Sequence, residues 1–289
     1  MESVVDYIER KYRASTRPGY RYGIRIYLNW IGGETSAQVA TYADVIDYLK
    51  HLRKQELNAR TVNNYLFAVK IYYHYLRSTK QRKDHPCERL KLKDQYDRSI
   101  HLESLYSTEQ LKQLANSYHC KDHKLLRRNQ VILGLLIHQA LTVSEITHLK
   151  TDEVDLRKSK LQVPAVGNNR ARKLPLKPEQ ILLINDYWHE DRNELLNQKD
   201  HSNLILNQYG DPLAPHSISR IINKGKATAH RFLPRKIRQS VIHNLLKAGH
   251  DLRVVQAFAG HRQLATTEAY RQTELEELKV SIEKYHPRQ

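Results

Sequence analysis

His119, Cys120 and His123 place three possible zinc ligands in five residues, but a tetrahedral site needs a fourth, and none stands at a suitable spacing. The sequence has no Gly-rich phosphate loop, no Gly-x-Ser-x-Gly turn and no Cys-x-x-Cys pair. Nucleotide hydrolysis, serine-hydrolase chemistry and a zinc ribbon therefore lack their usual groups. The chemistry this chain is equipped for is phosphate recognition. It carries 48 Lys+Arg against 31 Asp+Glu, a net charge of +17, with many tyrosines able to donate to phosphate oxygens. A surplus of that size attracts a polyanion and binds it by releasing counterions.

The elements that must position these groups are bounded by composition. A chain of 289 residues with 40% hydrophobic content supports two compact domains or one large one, and excludes global disorder despite a mean hydropathy of −0.70. Residues Met1 to Arg13 carry Glu2, Asp6 and Glu9 and lack an apolar stretch, so no secretory signal is expected. The longest apolar run, Val131 to Ile137, is far short of a membrane span. Two cysteines, Cys87 and Cys120, are too few for a disulfide framework, and a reducing cytoplasm is the expected location. No segment joins a strongly amphipathic helix to a lysine-rich face, which favours nucleic acid over a membrane surface as the polyanion.

Up to Leu92 the chain holds 17 Lys+Arg against 9 Asp+Glu, giving +8, and reads as a small basic helical domain. Helical periodicity predicts four helices, near Val4–Arg13, Arg17–Ile31, Thr41–Lys54 and Thr61–Leu76. The second carries Tyr20, Ile24, Tyr27 and Ile31 on one face, and the fourth carries Val62, Leu66, Val69, Tyr73 and Leu76, with Asn58 and Thr61 as capping residues. Its tyrosines are expected chiefly in or beside the core. From Arg77 to Leu105 a basic stretch without apolar periodicity reads as an interdomain tether. The boundaries expected are a first domain over 1–92, a linker over 93–106 and a second domain over 107–289. Ser107 with Gln110 forms a capping box opening the second domain. Helices then follow over Leu126–Gln139 and Val143–Lys150, and a β segment runs over Leu161–Val166, turns at Gly167–Asn169 and returns over Lys173–Leu176. The remainder reads as largely helical.

From Arg235 the sequence runs RKIRQSVIHNLLKAGHDLRVVQAFAGHRQLATTEAYRQ. Arg238, the LLKAGHDLRVVQ stretch, Ala259-Gly260-His261, Thr266-Thr267 and Tyr270 hold an order and spacing that resembles the C-terminal signature of the tyrosine recombinases, the family of phage integrases and Xer-type recombinases. LTVSEITHLKTDEVDL from Leu141 is similar to the family's first-arginine helix, and VGNNRARKLPL over Val166–Leu176 to its β-hairpin. The N-terminal helices, with Thr61 and Tyr65 on the fourth and Asp84-His85-Pro86 after it, are similar to its core-binding domain. The resemblance implies a mainly α fold with a small β-hairpin: a helical SAM-like core-binding domain followed by an α+β catalytic-type domain, together closing on double-stranded DNA.

In that family a tyrosine hydroxyl attacks a phosphodiester, leaving a 3′-phosphotyrosyl link and a free 5′-hydroxyl, with bond energy conserved and no cofactor or metal needed. Arginines hold the phosphate oxygens, histidines relay a proton and a lysine protonates the departing oxygen. Carried over, Tyr270 is the nucleophile, Arg238 the second arginine and His261 the histidine of the Gly-His element. Three positions depart. Thr142 stands for the first arginine, Arg235 for the histidine of His-x-x-Arg, and no lysine lies in Gly167–Asn169. Losing one preorganised donor costs on the order of 10²- to 10³-fold in rate. Arg235 restores a cation one turn from Arg238, and Arg170, Arg172 or Lys173 could approach from the hairpin.

The expectation is a sequence-specific DNA-binding protein of this family with impaired or absent strand cleavage. The alternative is an active, atypical recombinase working through Tyr270. Leu275, Leu278, Ile282 and Tyr285 share one face of a terminal helix that would either dock on a second protomer or fold back on its own domain. Partners expected are duplex DNA, another copy of the chain or an active relative, and no membrane.

Overall fold

The computed structural model describes residues 2–94, 100–120 and 122–271, and the terminal helix expected beyond Tyr270 lies outside them. The chain divides into two compact units, Met1–Arg98 and Ser99–Gln289. Among the described residues no helix is long and apolar enough to cross a membrane.

The first unit holds α1 (Val4–Lys11), α2 (Arg17–Ile31), α3 (Glu34–Val39), α4 (Tyr42–Lys54) and α5 (Ala59–Ser78). Local chemistry sets their starts. Ser3 with Asp6 and Thr41 with Asp44 form capping boxes, Asn58 accepts from the Arg60 N–H, and Pro18 sits in the first turn of α2. All five residues of the predicted α5 face, Val62, Leu66, Val69, Tyr73 and Leu76, are buried. On α2, Ile24 and Tyr27 are buried while Tyr20 and Ile31 only flank the core. Tyrosine can fill this core because its hydroxyls find partners there: Tyr27 pairs with Tyr73 at 2.5 Å, and Tyr73 donates to the Ala37 carbonyl at 3.2 Å. Gly23 allows α2 to lie directly on α5, where a Cβ would stand 2.6 Å from that of Ala68.

Two features differ from the expectation. The short α3 was not foreseen, being too brief to show periodicity. The stretch from Arg77 is no loose tether as far as Asp94, because Cys87, Leu90 and Leu92 pack on this core. Its charges are also tied, Arg77 to Glu88, Arg82 to Asp84 and the Ala37 carbonyl, and Arg53 to Asp94.

The second unit opens with α6 (Thr108–Asn116) behind the Ser107–Gln110 capping box and continues through α7 (His123–His138) and α8 (Val143–His148). A small antiparallel sheet follows in the order β1 (Val154–Asp155), β2 (Lys160–Val163), β3 (Arg172–Pro175). Leu161 pairs with Val154 and Leu174, and Val163 with Arg172. Next come α9 (Pro178–Asp186), a π-helical turn (Tyr187–Arg192), α10 (Asn193–Leu196), α11 (Pro215–Ile222), α12 (Pro234–Lys247) and α13 (Leu252–Ala259). The core gathers Ile132, Leu135 and Leu136 of α7 with Leu161, Val163, Ile218 and Ile237.

The outgoing strand ends at Val163 rather than Val166, the returning strand keeps the predicted length but starts one residue earlier, and residues 164–171 form a longer loop than the turn at Gly167–Asn169. The cause is where this loop's backbone bonds go: Asn169 bridges to His261, and the Arg170 N–H donates to the Gly260 carbonyl at 2.8 Å. The hairpin tip is thus fastened to the segment that carries His261.

Candidate active site

Thr142 is the N-cap of α8, and its hydroxyl is spent on that task. The Glu145 N–H donates to Thr142 Oγ1 at 3.2 Å, while Oγ1 and the Thr142 N–H donate to Glu145 Oε2 at 3.0 and 2.8 Å. Glu145 is fully buried and gathers donors from three other elements. Arg172, at the start of β3, sets Nη1 2.6 Å from Oε1 and Nη2 3.3 Å from Oε2. Asn169 Nδ2 donates to Oε1 at 3.0 Å, and Arg238 Nη1 lies 3.8 Å from Oε2. Burial alone would raise the Glu145 pKa, but Arg172, Arg238 and the Thr142 backbone hold it below the usual carboxylate range.

Arg238 projects from α12 into the same space and donates to the Ala140 and Ala259 carbonyls. Desolvation lowers its pKa while Glu145 opposes that, and a guanidinium remains charged at neutral pH. Gly260 caps α13 at φ 72° and delivers His261, whose Nδ1 lies 2.9 Å from Thr267 Oγ1. Burial, and then the charges of Arg238 and Arg172, push the imidazole down to about 4, so His261 is neutral at pH 7.

Tyr270 lies on a helical segment that starts at Leu264, and it is buried against Ile242, Val255 and Ala259. Burial raises its pKa; the charges of Arg238 and Arg235 and a hydrogen bond with Gln239 oppose the rise. The phenol therefore keeps its proton at neutral pH while sitting in the field of two guanidinium groups.

Of the residues singled out in the sequence, Arg238 comes within electrostatic reach of both His261 and Tyr270, and Arg235, exposed in the first turn of α12, within reach of Tyr270. Lys173 faces away: on β3 the Arg172 and Leu174 side chains point inward while Lys173 between them is exposed. Arg170 is exposed and donates to the Arg262 carbonyl. Sequence reasoning missed Glu145 as the hub. The Thr-x-x-Glu spacing at 142–145 is a capping-box signal that could have drawn attention to it. Chemically, the site offers fixed cations for an oxyanion, a neutral imidazole and a protonated phenol.

The Phage integrase family model matches residues 105–277, and that of the Phage integrase N-terminal SAM-like domain matches residues 6–80. The tyrosine recombinase XerC of Lacticaseibacillus casei is 28% identical over 97% of this chain and 95% of its own length. XerC of Listeria monocytogenes serotype 4a is 28% identical over 99% and 97%. Among solved structures, the XerH site-specific recombinase bound to a palindromic difH substrate superposes with a TM-score of 0.69, at 20% identity over 96% of this chain and 84% of that one. The Tn1549 transposon integrase in complex with transposon right end DNA gives 0.66, at 16% identity over 98% and 99%.

Proposed function

The chain belongs to the phage integrase family of tyrosine recombinases, and from that premise we propose that it binds duplex DNA at specific sites and cleaves one strand through Tyr270 at an attenuated rate. The observation that carries this reading is the buried cluster of Arg172, Glu145 and His261 around Arg238, whose charge also reaches Tyr270, all within one unit. The net charge of +17 supports DNA as the partner, as do the two neighbours above, each solved on DNA.

In the step proposed, the Tyr270 oxygen attacks phosphorus, the bond to the 5′-oxygen breaks, and a 3′-phosphotyrosyl link forms. The phenolic proton passes to solvent as the new bond forms, the guanidinium groups hold the charge that builds on the equatorial oxygens, and neutral His261 is able to hydrogen-bond to one of them. Reversal by an incoming 5′-hydroxyl rejoins the strand. Attenuation follows from the leaving side. The departing 5′-oxygen needs a proton, the hairpin loop holds no lysine, Lys173 faces away, and an arginine such as Arg235 is a poor acid because its pKa lies above ~12. Exchange between two duplexes needs a nucleophile on each cut strand, so the reading also requires protomers to associate on DNA.

The test uses nicked duplexes tiled across the gene's neighbourhood, wild type beside Tyr270→Phe, with a binding shift and a denaturant-resistant adduct scored on each fragment. The expected result is a specific shift with both proteins and an adduct with wild type alone. A matching substrate with a bridging 5′-sulfur, which leaves without protonation, should form adduct at least ~10-fold faster. Shifts without any adduct, on either substrate, would instead establish a recombinase fold kept for binding DNA. An adduct that survives Tyr270→Phe would overturn the assignment of the nucleophile.

A further inference from the structure

Thr142 brings no cation to the site, yet a cation stands beside it. The Thr142 hydroxyl and Arg172 Nη2 both meet Glu145 Oε2, at 3.0 and 3.3 Å, so positions 142 and 172 converge on one carboxylate oxygen from different elements. The Arg172 side chain is 5% exposed, and the backbone next to His261 is shaped around it. A Cβ on Gly260 would stand 2.7 Å from Arg172 Nη1 and 3.1 Å from its Cδ. Arg172 lies close enough to lower the pKa of both His261 and Arg238.

Glu145 does not exhaust this guanidinium. Nη1 serves Glu145 and, at 3.5 Å, the Arg170 carbonyl; Nη2 serves Glu145; Nε is buried with no partner among the described residues. A buried donor left unpaired is unfavourable, the more so when charged, and an arriving oxyanion would relieve it. The charge count points the same way. Two guanidinium groups, one carboxylate and a neutral imidazole leave the cluster with one uncompensated positive charge.

We propose that Arg172 supplies the phosphate-binding cation that the family pattern places at position 142. The fastening of residues 169 and 170 to 260 and 261 then gains a purpose, since it holds Arg172 against the histidine and the second arginine. This inference rests on the Tyr270 reading for its reaction, but not for its binding test.

Two measurements separate them. Orthovanadate, which adopts the five-coordinate geometry of phosphoryl transfer, is titrated by thermal shift without DNA, and adduct formation is timed on nicked DNA. Variants are Arg172→Met, Arg172→Lys, and Arg172→Met combined with Thr142→Arg. Arg172→Met is expected to lose on the order of 10²-fold in vanadate affinity and in adduct rate. Adding Thr142→Arg should recover at least ~10-fold of both, which a purely structural role for Arg172 would not produce. Arg172→Lys keeps an ion pair with Glu145, and hence the fold, but lacks the planar fork, so it too should lose vanadate affinity. If Arg172→Met or, where that variant fails to fold, Arg172→Lys binds vanadate as wild type does, the inference is overturned. If wild type binds vanadate through Arg172 yet forms no adduct, the inference stands and the Tyr270 reading falls.

Discussion

Glu145→Gln removes one negative charge and almost no volume from a site where the carboxylate is fully buried and contacts two guanidinium groups. The Thr142 N–H and hydroxyl, which share Oε2, can still be served by an amide oxygen placed there, but the amide nitrogen then faces Asn169 Nδ2, a donor that had bonded to Oε1. Arg172 and Arg238 cannot be compensated, and removing one partner of a buried ion pair typically costs about 3–5 kcal/mol. For a unit of this size each kcal/mol lowers Tm by about 2–4 °C, so the expected fall is roughly 6–20 °C. Urea unfolding measures the free energy directly. Each unit contains one of the two tryptophans, Trp30 in the first and Trp188 in the second, so Trp188 fluorescence in a Trp30→Phe background reports the second unit alone. A second signature concerns acid. The pKa of Glu145 is depressed by folding, so its stabilisation is complete above the unfolded-state value near 4.5 and is lost as pH falls through the lower folded value; the Gln variant should lack that limb. A loss below about 1 kcal/mol, the scale of an exposed ion pair, would refute the view that Glu145 holds a buried cationic site together.

Two further outcomes follow from the same geometry. His261 has a folded pKa of about 4 against 6.5, so between those values the unfolded chain binds a proton that the native one does not. Stability should therefore fall by on the order of 3 kcal/mol as pH drops from about 6.5 to 4, and His261→Gln should flatten that part of a urea-midpoint profile. Gly260→Ala forces a Cβ onto a backbone at φ 72° and to within 2.7 Å of Arg172 Nη1. It should cost about 1–3 kcal/mol by the same unfolding assay and weaken vanadate binding, because the guanidinium must move.

Much of this architecture was legible in the sequence, for identifiable reasons. The α5 face and the Ser107–Gln110 cap could be read because helical spacing and capping chemistry are local properties. The Arg235 to Tyr270 stretch was legible as a motif because its residues hold fixed spacing on consecutive short elements. The hub of the site was not legible. Glu145, Asn169, Arg172 and Gly260 come from α8, the hairpin loop, β3 and the end of α13, and only tertiary packing brings them together. Arg172 reads as one of several basic hairpin residues until the pleat shows that it points inward and Lys173 outward. The ordering of residues 77–94 was hidden for a related reason, since Cys87, Leu90 and Leu92 anchor the stretch without forming a periodic face.

Eighteen tyrosines make the covalent step open to direct mapping. The most direct test of the account is to trap the adduct of the wild-type protein on its nicked site, digest it with protease and nuclease, and locate the modified peptide by mass spectrometry. The account predicts a nucleotide joined through its 3′-phosphate to Tyr270 alone, with a free 5′-hydroxyl on the released strand. A linkage at any other tyrosine, or a 5′-phosphate link, would contradict it.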